Sequence, residues 1–347
     1  MKLREPCMTN CHITIENADI AFEASTEEII LDSALNLGIS LPYQCRGASC
    51  GTCKAKILEG SVDHGWALGF AITDEEKEAG FCLMCQARPT SAALALRTVN
   101  PVPAQAGAPA TSEFEGTVVG IYNETPRVKR VIVRVPDHVR FTYPGGAYAE
   151  VRTGLFPQPR MYSFASAASA QRLLDFYVAL HPDGKASGYI HRELRLGHPI
   201  HIKGPFGYCR LPEGAGPVLC LAGGTGIAPI LAILEEQLKG GLADSVHLLF
   251  SVREAQEVFA LDRLSGLRAQ FPHFTFDLTL TDAPGPLGKY ADTVPVLLPR
   301  IYKTLREHRL IISGSPGFVD ACMASAIALE ASPENISFDR FDPVSPR

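Results

Sequence analysis

The sequence predicts a multidomain chain in which a small α+β unit is joined to a central antiparallel β-barrel and a C-terminal α/β unit with a parallel sheet. Three observations predict this. The stretch from Asn100 to Ser112 (NPVPAQAGAPATS) has no charge and no hydrophobic periodicity, so it cannot bury enough apolar surface to order itself and reads as a tether. Five of the ten cysteines crowd into residues 45–85, ahead of that tether. Beyond it, short alternating strands give way near Pro217 to strands that alternate with helices. The domains read as 1–98, a linker at 99–112, 113–212 and 213–347, each of ordinary size.

Taking the elements in order, HITIENADIAFEA alternates apolar and polar residues about a central turn, the pattern of a β-hairpin. STEEIILDSALNLG follows as an amphipathic helix, with Ser25 and Glu28 at capping-box spacing and Gly38 placed to stop it. After the tether, the segments up to Arg210 are short β-like runs broken by Gly and Pro, as in an antiparallel barrel. PVLCLAGG, VHLLFSVR, FTFDLTLT and HRLIISG then read as strands of a parallel sheet, with TGIAPILAILEEQLKG a helix after the first of them.

Composition narrows the function classes. With 46% hydrophobic and 20% charged residues the chain suits a globular protein with sizeable cores. A net charge of -5 gives no electrostatic case for nucleic acid or an anionic membrane. No apolar run is long enough to span a bilayer, and MKLREPCMTNC lacks a secretory apolar stretch, so a cytoplasmic location is expected. Reduced thiols or metal ligands are therefore expected rather than disulfides, with Cys7, Cys11, Cys209, Cys220 and Cys322 as buried thiols.

The clustered cysteines carry the chemistry. Cys45-Arg-Gly-Ala-Ser-Cys50-Gly-Thr-Cys53 is followed after 31 residues by Cys85, the C-x4-C-x2-C spacing with a distant fourth cysteine of a plant-type 2Fe–2S cluster. Two irons need four thiolates, and a loop that supplies three of them must wrap closely. Gly47, Gly51 and the small Ala48 and Ser49 permit that, with main-chain N–H groups turned toward sulfur. The competing pattern is a zinc site built from Cys50-x-x-Cys53 and Cys82-x-x-Cys85, which leaves Cys45 idle. It would make the chain a zinc-stabilised interaction protein rather than an enzyme.

Three further motifs can hold nucleotides. In the barrel, Arg160, Tyr162 and Ser163 combine a guanidinium fork for phosphate with a phenol and a hydroxyl. Gly184, Lys185 and Ser187 open a helical segment, where backbone N–H groups and the helix dipole favour an anion. Farther on, Gly223, Gly224, Thr225 and Gly226 lie between a buried strand and a helix, with Pro229 in the helix's first turn. Such a turn lets a pyrophosphate approach the helix end. At the end of the next strand Arg253 could pair a ribose 2′-phosphate, whereas the adjacent Glu254 would favour a free 2′-hydroxyl, so NADH and NADPH both stay open.

In order, CRGASCGTC with MCQA, RMYSFAS, GKAS, GPFG, AGGTGIAPI, FSVREAQEVF and FDRFDP resemble the ferredoxin–NAD(P)H reductase family, and most closely the reductase components of bacterial multicomponent oxygenases that attack aromatic rings. The resemblance implies a β-grasp-like ferredoxin domain, a flavin barrel and a nucleotide-binding α/β domain. It implies that Cys45, Cys50, Cys53 and Cys85 ligate the cluster. Arg160, Tyr162, Ser163, Gly184, Lys185 and Ser187 would hold FAD, and Gly223, Gly224, Thr225 and Gly226 would face NAD(P)H, with Phe341 near the flavin. Where the family commonly has Cys-Gly-x-Pro, this chain has Ser313-Gly314-Ser315-Pro316, and the less polarizable serine is expected to slow hydride transfer without changing its kind. The implied traffic runs from NAD(P)H to FAD as hydride. It continues singly through the cluster to a terminal oxygenase, Rieske-type or di-iron, or to its ferredoxin. An alkane monooxygenase or a sugar dehydratase would be served by the same electron chain.

Overall fold

The computed structural model describes residues 10–341 apart from 68, 70, 103–110, 155, 208 and 283–287. Cys7, most of the expected tether and the end of FDRFDP beyond Phe341 lie outside the described residues. The chain divides into two compact units between Thr111 and Ser112.

The first unit contains β1 (Asn10–Ile15), β2 (Ile20–Ser25), α1 (Ile30–Asn36), β3 (Lys54–Glu59), β4 (Val62–Asp63), α2 (Asp74–Glu78), β5 (Phe81–Leu83), β6 (Arg88–Pro89) and β7 (Ala93–Thr98). The expected hairpin is β1 against β2, with Ile13 opposite Phe22. It extends into a mixed sheet ordered β2-β1-β7-β3-β5, in which β1 and β7 run parallel. Period-2 alternation turns Ile13, Ile15, Leu94 and Leu96 inward, where Ile30, Leu31 and Ala34 of α1 join them. Each large aliphatic chain buried this way contributes about 1.5–3 kcal/mol.

The capping box expected at Ser25 and Glu28 does not form. Ser25 ends β2 and its hydroxyl accepts from the Glu27 amide at 3.2 Å, while Glu28 accepts from the Ser33 hydroxyl at 2.7 Å. The helix starts at Ile30, and the Ile30 and Leu31 amides donate to the carbonyls of Ala87 and Met84, both at 3.0 Å. Main chain from a distant segment thus satisfies the donors that local spacing assigned to Ser25. A reciprocal capping box sits instead at Thr73 and Glu76 on α2.

The second unit begins with β8 (Ser112–Thr125), β9 (Val128–Arg134), β10 (Tyr148–Thr153), β11 (Phe156–Ser163), β12 (Leu173–Ala179), α3 (Lys185–Arg192) and β13 (Pro199–Phe206). Its six strands pair antiparallel in the order β11-β10-β13-β8-β9-β12. Register shifts near Val118 and Val151 bend the sheet around Phe114, Val133, Phe164, Phe176 and Ile202, so the expected barrel takes the form of a half-barrel.

The unit continues through β14 (Val218–Gly223), a single 3-10 turn at Gly224–Gly226, α4 (Ile227–Lys239), β15 (Val246–Val252), α5 (Leu261–Gln270) and β16 (Phe274–Leu280). It ends with α6 (Val294–Ile301), β17 (Arg309–Gly314), α7 (Pro316–Ala328) and β18 (Ile336–Arg340). These five strands form an all-parallel sheet ordered β16-β15-β14-β17-β18. α4 and α5 cover one face and α6 and α7 the other. Winding reverses between β14 and β17, and ligands of such sheets bind at the strand carboxyl ends beside that reversal. Val128, Ala165 and Tyr177 of the half-barrel belong to the α4–α5 core, so both halves of this unit share buried apolar surface. Among the described residues no helix is long and apolar enough to cross a membrane.

Candidate cofactor sites

In the first unit the loop between α1 and β3 carries Cys45, Cys50 and Cys53. Main-chain bonds bring the fourth cysteine to them: the Met84 amide donates to the Cys53 carbonyl at 3.1 Å, which sets Cys85 beside Cys53. The thiols stand in two touching pairs, Cys45 with Cys50 and Cys53 with Cys85. The amides of Gly47 and Ser49 donate to Cys45 Sγ at 3.3 and 3.5 Å. Contact with Cys50, helped by these amides, holds the Cys45 thiol well below the usual range against burial, whereas Cys53 is pushed well up by Cys85 and burial. Burial and crowding disfavour a set of bare thiolates, and a cationic centre among them would offset that penalty.

This geometry bears on the choice of metal. A single zinc ion needs four ligands directed at one point, whereas two bridged irons take two thiolates each. The paired sulfurs fit the two-iron arrangement. Cys82, which the zinc pattern needs, lies on β5 with 0% exposure, and burial pushes its thiol up to about 12. Cys11, Cys209, Cys220 and Cys322 are buried free thiols, as expected.

Loop curvature comes only partly from the residues expected. Gly51 has φ +73, but the remaining left-handed positions are Arg46 and Ala48 rather than Gly47. A non-glycine residue held there carries a local cost, of about 1–2 kcal/mol. Arg46 meets it with tertiary contacts: its guanidinium donates to Asp32 of α1 at 2.8 Å, and its carbonyl accepts from Gln86 at 3.4 Å. Neither Arg46 nor Asp32 was marked by any spacing rule.

In the second unit, β11 carries Arg160, Tyr162 and Ser163, and α3 begins at Gly184 as expected. Phe156 of β11 meets Tyr189 of α3 edge-on with ring centroids 6.1 Å apart, so the two motifs lie on neighbouring elements. Arg160 donates to the Pro159 carbonyl at 3.0 Å, and burial pushes the Tyr162 phenol up to about 12, which keeps it a neutral donor. Two hydroxyls are already engaged. Ser163 donates to Asp339 of β18 at 3.0 Å. Ser187 accepts from the His181 amide at 3.1 Å and donates to the Gly184 carbonyl at 3.2 Å, closing the turn that presents Lys185.

A cavity of about 670 Å³ lies at the carboxyl end of the parallel sheet, within the range usual for small-molecule sites. Gly223, Gly224, Thr225, Arg253 and Phe341 line it, which brings together residues from distant motifs. The Phe341 amide donates to the Gly314 carbonyl at 2.9 Å, which holds that ring's backbone at the end of β17. Arg127, Ser315 and Phe318 also line the cavity and were not foreseen. Ser313 does not: it lies on β17 with 0% exposure, paired between Ala222 and Asp339, and its hydroxyl has no hydrogen-bond partner. Ser313 lies inside β17, whereas Ser315, past the end of that strand, reaches the cavity. Arg253 is bound by Glu257, whose carboxylate accepts from both its amide (3.1 Å) and its Nε (3.2 Å), and Gln256 donates to Glu254 at 2.6 Å.

Comparison with known proteins agrees with this division. Residues 13–90 match the 2Fe-2S iron-sulfur cluster binding domain, 118–210 the oxidoreductase FAD-binding domain and 220–323 the oxidoreductase NAD-binding domain. The chain is 30% identical over 332 residues to the naphthalene 1,2-dioxygenase system ferredoxin–NAD(P)(+) reductase component of Pseudomonas putida, covering 94% of this chain and 97% of that one. It is 26% identical over 342 residues to the propane 2-monooxygenase reductase component of Mycolicibacterium goodii, covering 96% and 98%. The crystal structure of an Amycolatopsis cytochrome P450 reductase superposes with a TM-score of 0.85 at 26% identity, covering 96% of this chain and 100% of that one.

Proposed function

The chain belongs to the family of ferredoxin–NAD(P)+ reductase components of oxygenase systems, and on that premise we propose how its residues serve an NAD(P)H oxidoreductase that carries FAD and a 2Fe–2S cluster. Cys45, Cys50, Cys53 and Cys85 would hold the cluster. The observation that carries this is the paired arrangement of the sulfurs, with Gly47 and Ser49 amides directed at one of them. Those amides stabilise charge on sulfur, the usual means by which a protein tunes such a centre.

On the flavin side, Arg160 and Tyr162 hold FAD along β11, and the start of α3 at Gly184 and Lys185 takes its pyrophosphate. Ser187 acts by holding the turn, and Ser163 by tying β11 to β18 through Asp339. The nicotinamide nucleotide occupies the cavity at Gly223, Gly224 and Thr225, with Gly226 allowing close packing beneath it and Phe341 forming its wall. Bound together, nicotinamide, flavin and cluster supply the conversion of a two-electron donor into single electrons. The chain's own part is to bind, orient and keep water from the reacting faces. Arg253 is neutralised by Glu257, so it offers a ribose 2′-phosphate little net charge, and NADH is the favoured donor.

The partner is an oxygenase or its ferredoxin. In our reading it is a Rieske-type or di-iron oxygenase acting on an aromatic ring, in the cytoplasm; the naphthalene-system relative supports the aromatic assignment, and the propane-system relative supports an alkane monooxygenase instead. The test is the visible spectrum of the purified protein before and after NADH, with iron, sulfide and flavin assays. Flavin and iron–sulfur bands that bleach on reduction are expected, with two irons per chain. Zinc on the four thiols, or a colourless protein that does not oxidise NADH, would overturn the assignment.

A further inference from the structure

A second concavity of the second unit, about 610 Å³, is lined by charged groups that the account above leaves unused. At its centre Arg263 of α5 makes four contacts. Its guanidinium donates to Glu235 of α4 at 2.6 Å, to the Ala165 carbonyl just past β11 at 2.6 Å, and to Tyr177 and Asp175 of β12 at 3.2 and 3.4 Å. Glu235 also accepts from the Ala167 amide at 3.2 Å, and the neighbouring Glu236 from the Gly145 amide at 2.5 Å. Burial opposes charge on Arg263, but Tyr177, Glu235 and Asp175 outweigh it and keep the group firmly protonated.

The elements joined here are the ones that carry both cofactor sites. β11 ends in the Arg160–Ser163 segment, two residues before Ala165. β12 runs on to Ala179, which with Leu180, His181 and Pro182 lines the nucleotide cavity. α4 starts directly from the Gly224–Gly226 turn. The apolar core shared by the two halves holds them together but is non-directional, and does not by itself fix their rotation. A planar guanidinium with four acceptors on three elements does. We propose that Arg263 is a positioning residue for hydride transfer, fixing the nucleotide-binding half against the flavin half so that nicotinamide and isoalloxazine meet at reacting distance. This rests on the reading of the unit as an NAD(P)H–flavin reductase.

Removing the side chain leaves both carboxylates another hydrogen-bond donor. Asp175 keeps its two-pronged pairing with Arg130 (2.6 and 2.9 Å), Glu235 keeps the Ala167 amide, and the concavity admits water. Arg263→Ala is therefore expected to fold and to load FAD. The experiment compares the full-length holoprotein with Arg263→Ala, Arg263→Lys and Glu235→Gln by stopped-flow flavin reduction with NADH, normalised to bound FAD. It adds the primary isotope effect with C4-deuterated NADH and amide hydrogen exchange over 173–179 and 227–239.

For Arg263→Ala the limiting reduction rate should fall about 10- to 100-fold, the cost of a displacement of about 1 Å. Half-saturating NADH should change by less than about threefold, the isotope effect should rise toward its intrinsic value, and exchange over both segments should quicken. Arg263→Lys should recover part of the rate. A folded, FAD-loaded Arg263→Ala protein reduced within about threefold of the parent overturns the proposal, as does a rate loss that only follows lost FAD. If Arg263→Ala does not fold, Glu235→Gln decides, because it keeps the shape of α4 and weakens the same contact: a slower limiting rate with unchanged half-saturation supports the proposal, and a parental rate overturns it. A parent protein that NADH does not reduce at all would refute the reductase reading instead.

Discussion

Replacing Gly226 by alanine asks whether the Gly-rich turn exists for flexibility or for close approach. Gly226 has φ -59 and ψ -14, values any residue adopts, so the backbone raises no objection. Space does. A Cβ there would lie 2.2 Å from the Ser313 carbonyl oxygen, 2.5 Å from its carbon and 2.8 Å from Gly314 Cα. All three are main-chain atoms of β17, so no rotamer change relieves the overlap, and the start of α4 must move off β17 by about 1 Å to reach ordinary contact. Overpacking of this kind costs about 1–3 kcal/mol, and about 1 Å of misplacement in a reacting pair lowers its rate by about 100-fold. Gly241→Ala is the control, since it lies past α4 and outside the cavity lining, its φ is +96 and nothing lies within 4 Å of the added carbon. It should cost only the left-handed backbone term, about 1–2 kcal/mol, without displacing a segment. The assay is kcat/KM for NADH with ferricyanide as acceptor, alongside thermal melting. Gly226→Ala should lose about 10- to 100-fold in kcat/KM, while Gly241→Ala should stay within about threefold and melt a few degrees lower. An unchanged kcat/KM for Gly226→Ala, or a larger loss for Gly241→Ala, would refute the reasoning.

Cys53→Ser should abolish NADH–cytochrome c transfer while largely sparing NADH–ferricyanide activity, whereas Cys82→Ala should retain iron; metal lost from Cys82→Ala and kept in Cys45→Ser would restore the zinc-type pairing. Arg160→Ala should lower bound FAD per chain, measured by absorbance after gel filtration, and full occupancy would count against its assigned role. Stability should be greatest between about pH 7 and 9. Burial holds His191, His247 and His308 below their ordinary 6.5, so stability is lost as pH falls through their folded values. At the other end, burial raises Cys220 and Cys322 from 9.0 and Tyr143 and Tyr162 from 10.0, all to about 12, so stability present below the unfolded values is lost as pH climbs toward 12. Urea midpoints from pH 5 to 11 check both arms, and a profile flat above pH 9 would contradict the alkaline one.

The parts of each site that a local pattern encodes were legible. The cysteine spacing, the β11 tetrapeptide, the start of α3 and the turn before α4 all reappear on the elements expected of them. Short stretches of chain dictate these features, because hydrophobic period and glycine placement act within a few residues. β18 was missed because ISFDR is short, carries only two apolar residues and is only partly buried at the edge of the sheet. Ser25 failed as a cap because long-range carbonyls reached the helix start first. Ser313 was expected at the nicotinamide and lies buried within β17, since a motif fixes sequence position but not where the strand ends and the cavity begins.

By itself, the sequence determined which cofactors the chain is built for and in what order their domains follow. Ligand spacing and turn chemistry are short-range properties, and few alternative structures satisfy them. Only the tertiary structure decided that Cys85 stands beside Cys53, that Asp339 holds Ser163, and that Arg263 gathers β11, β12 and α4 at one guanidinium. Those contacts join residues from 28 to 176 positions apart. Nothing in a local pattern records such pairs, because they form only when separately folded elements pack and their buried polar groups must find partners.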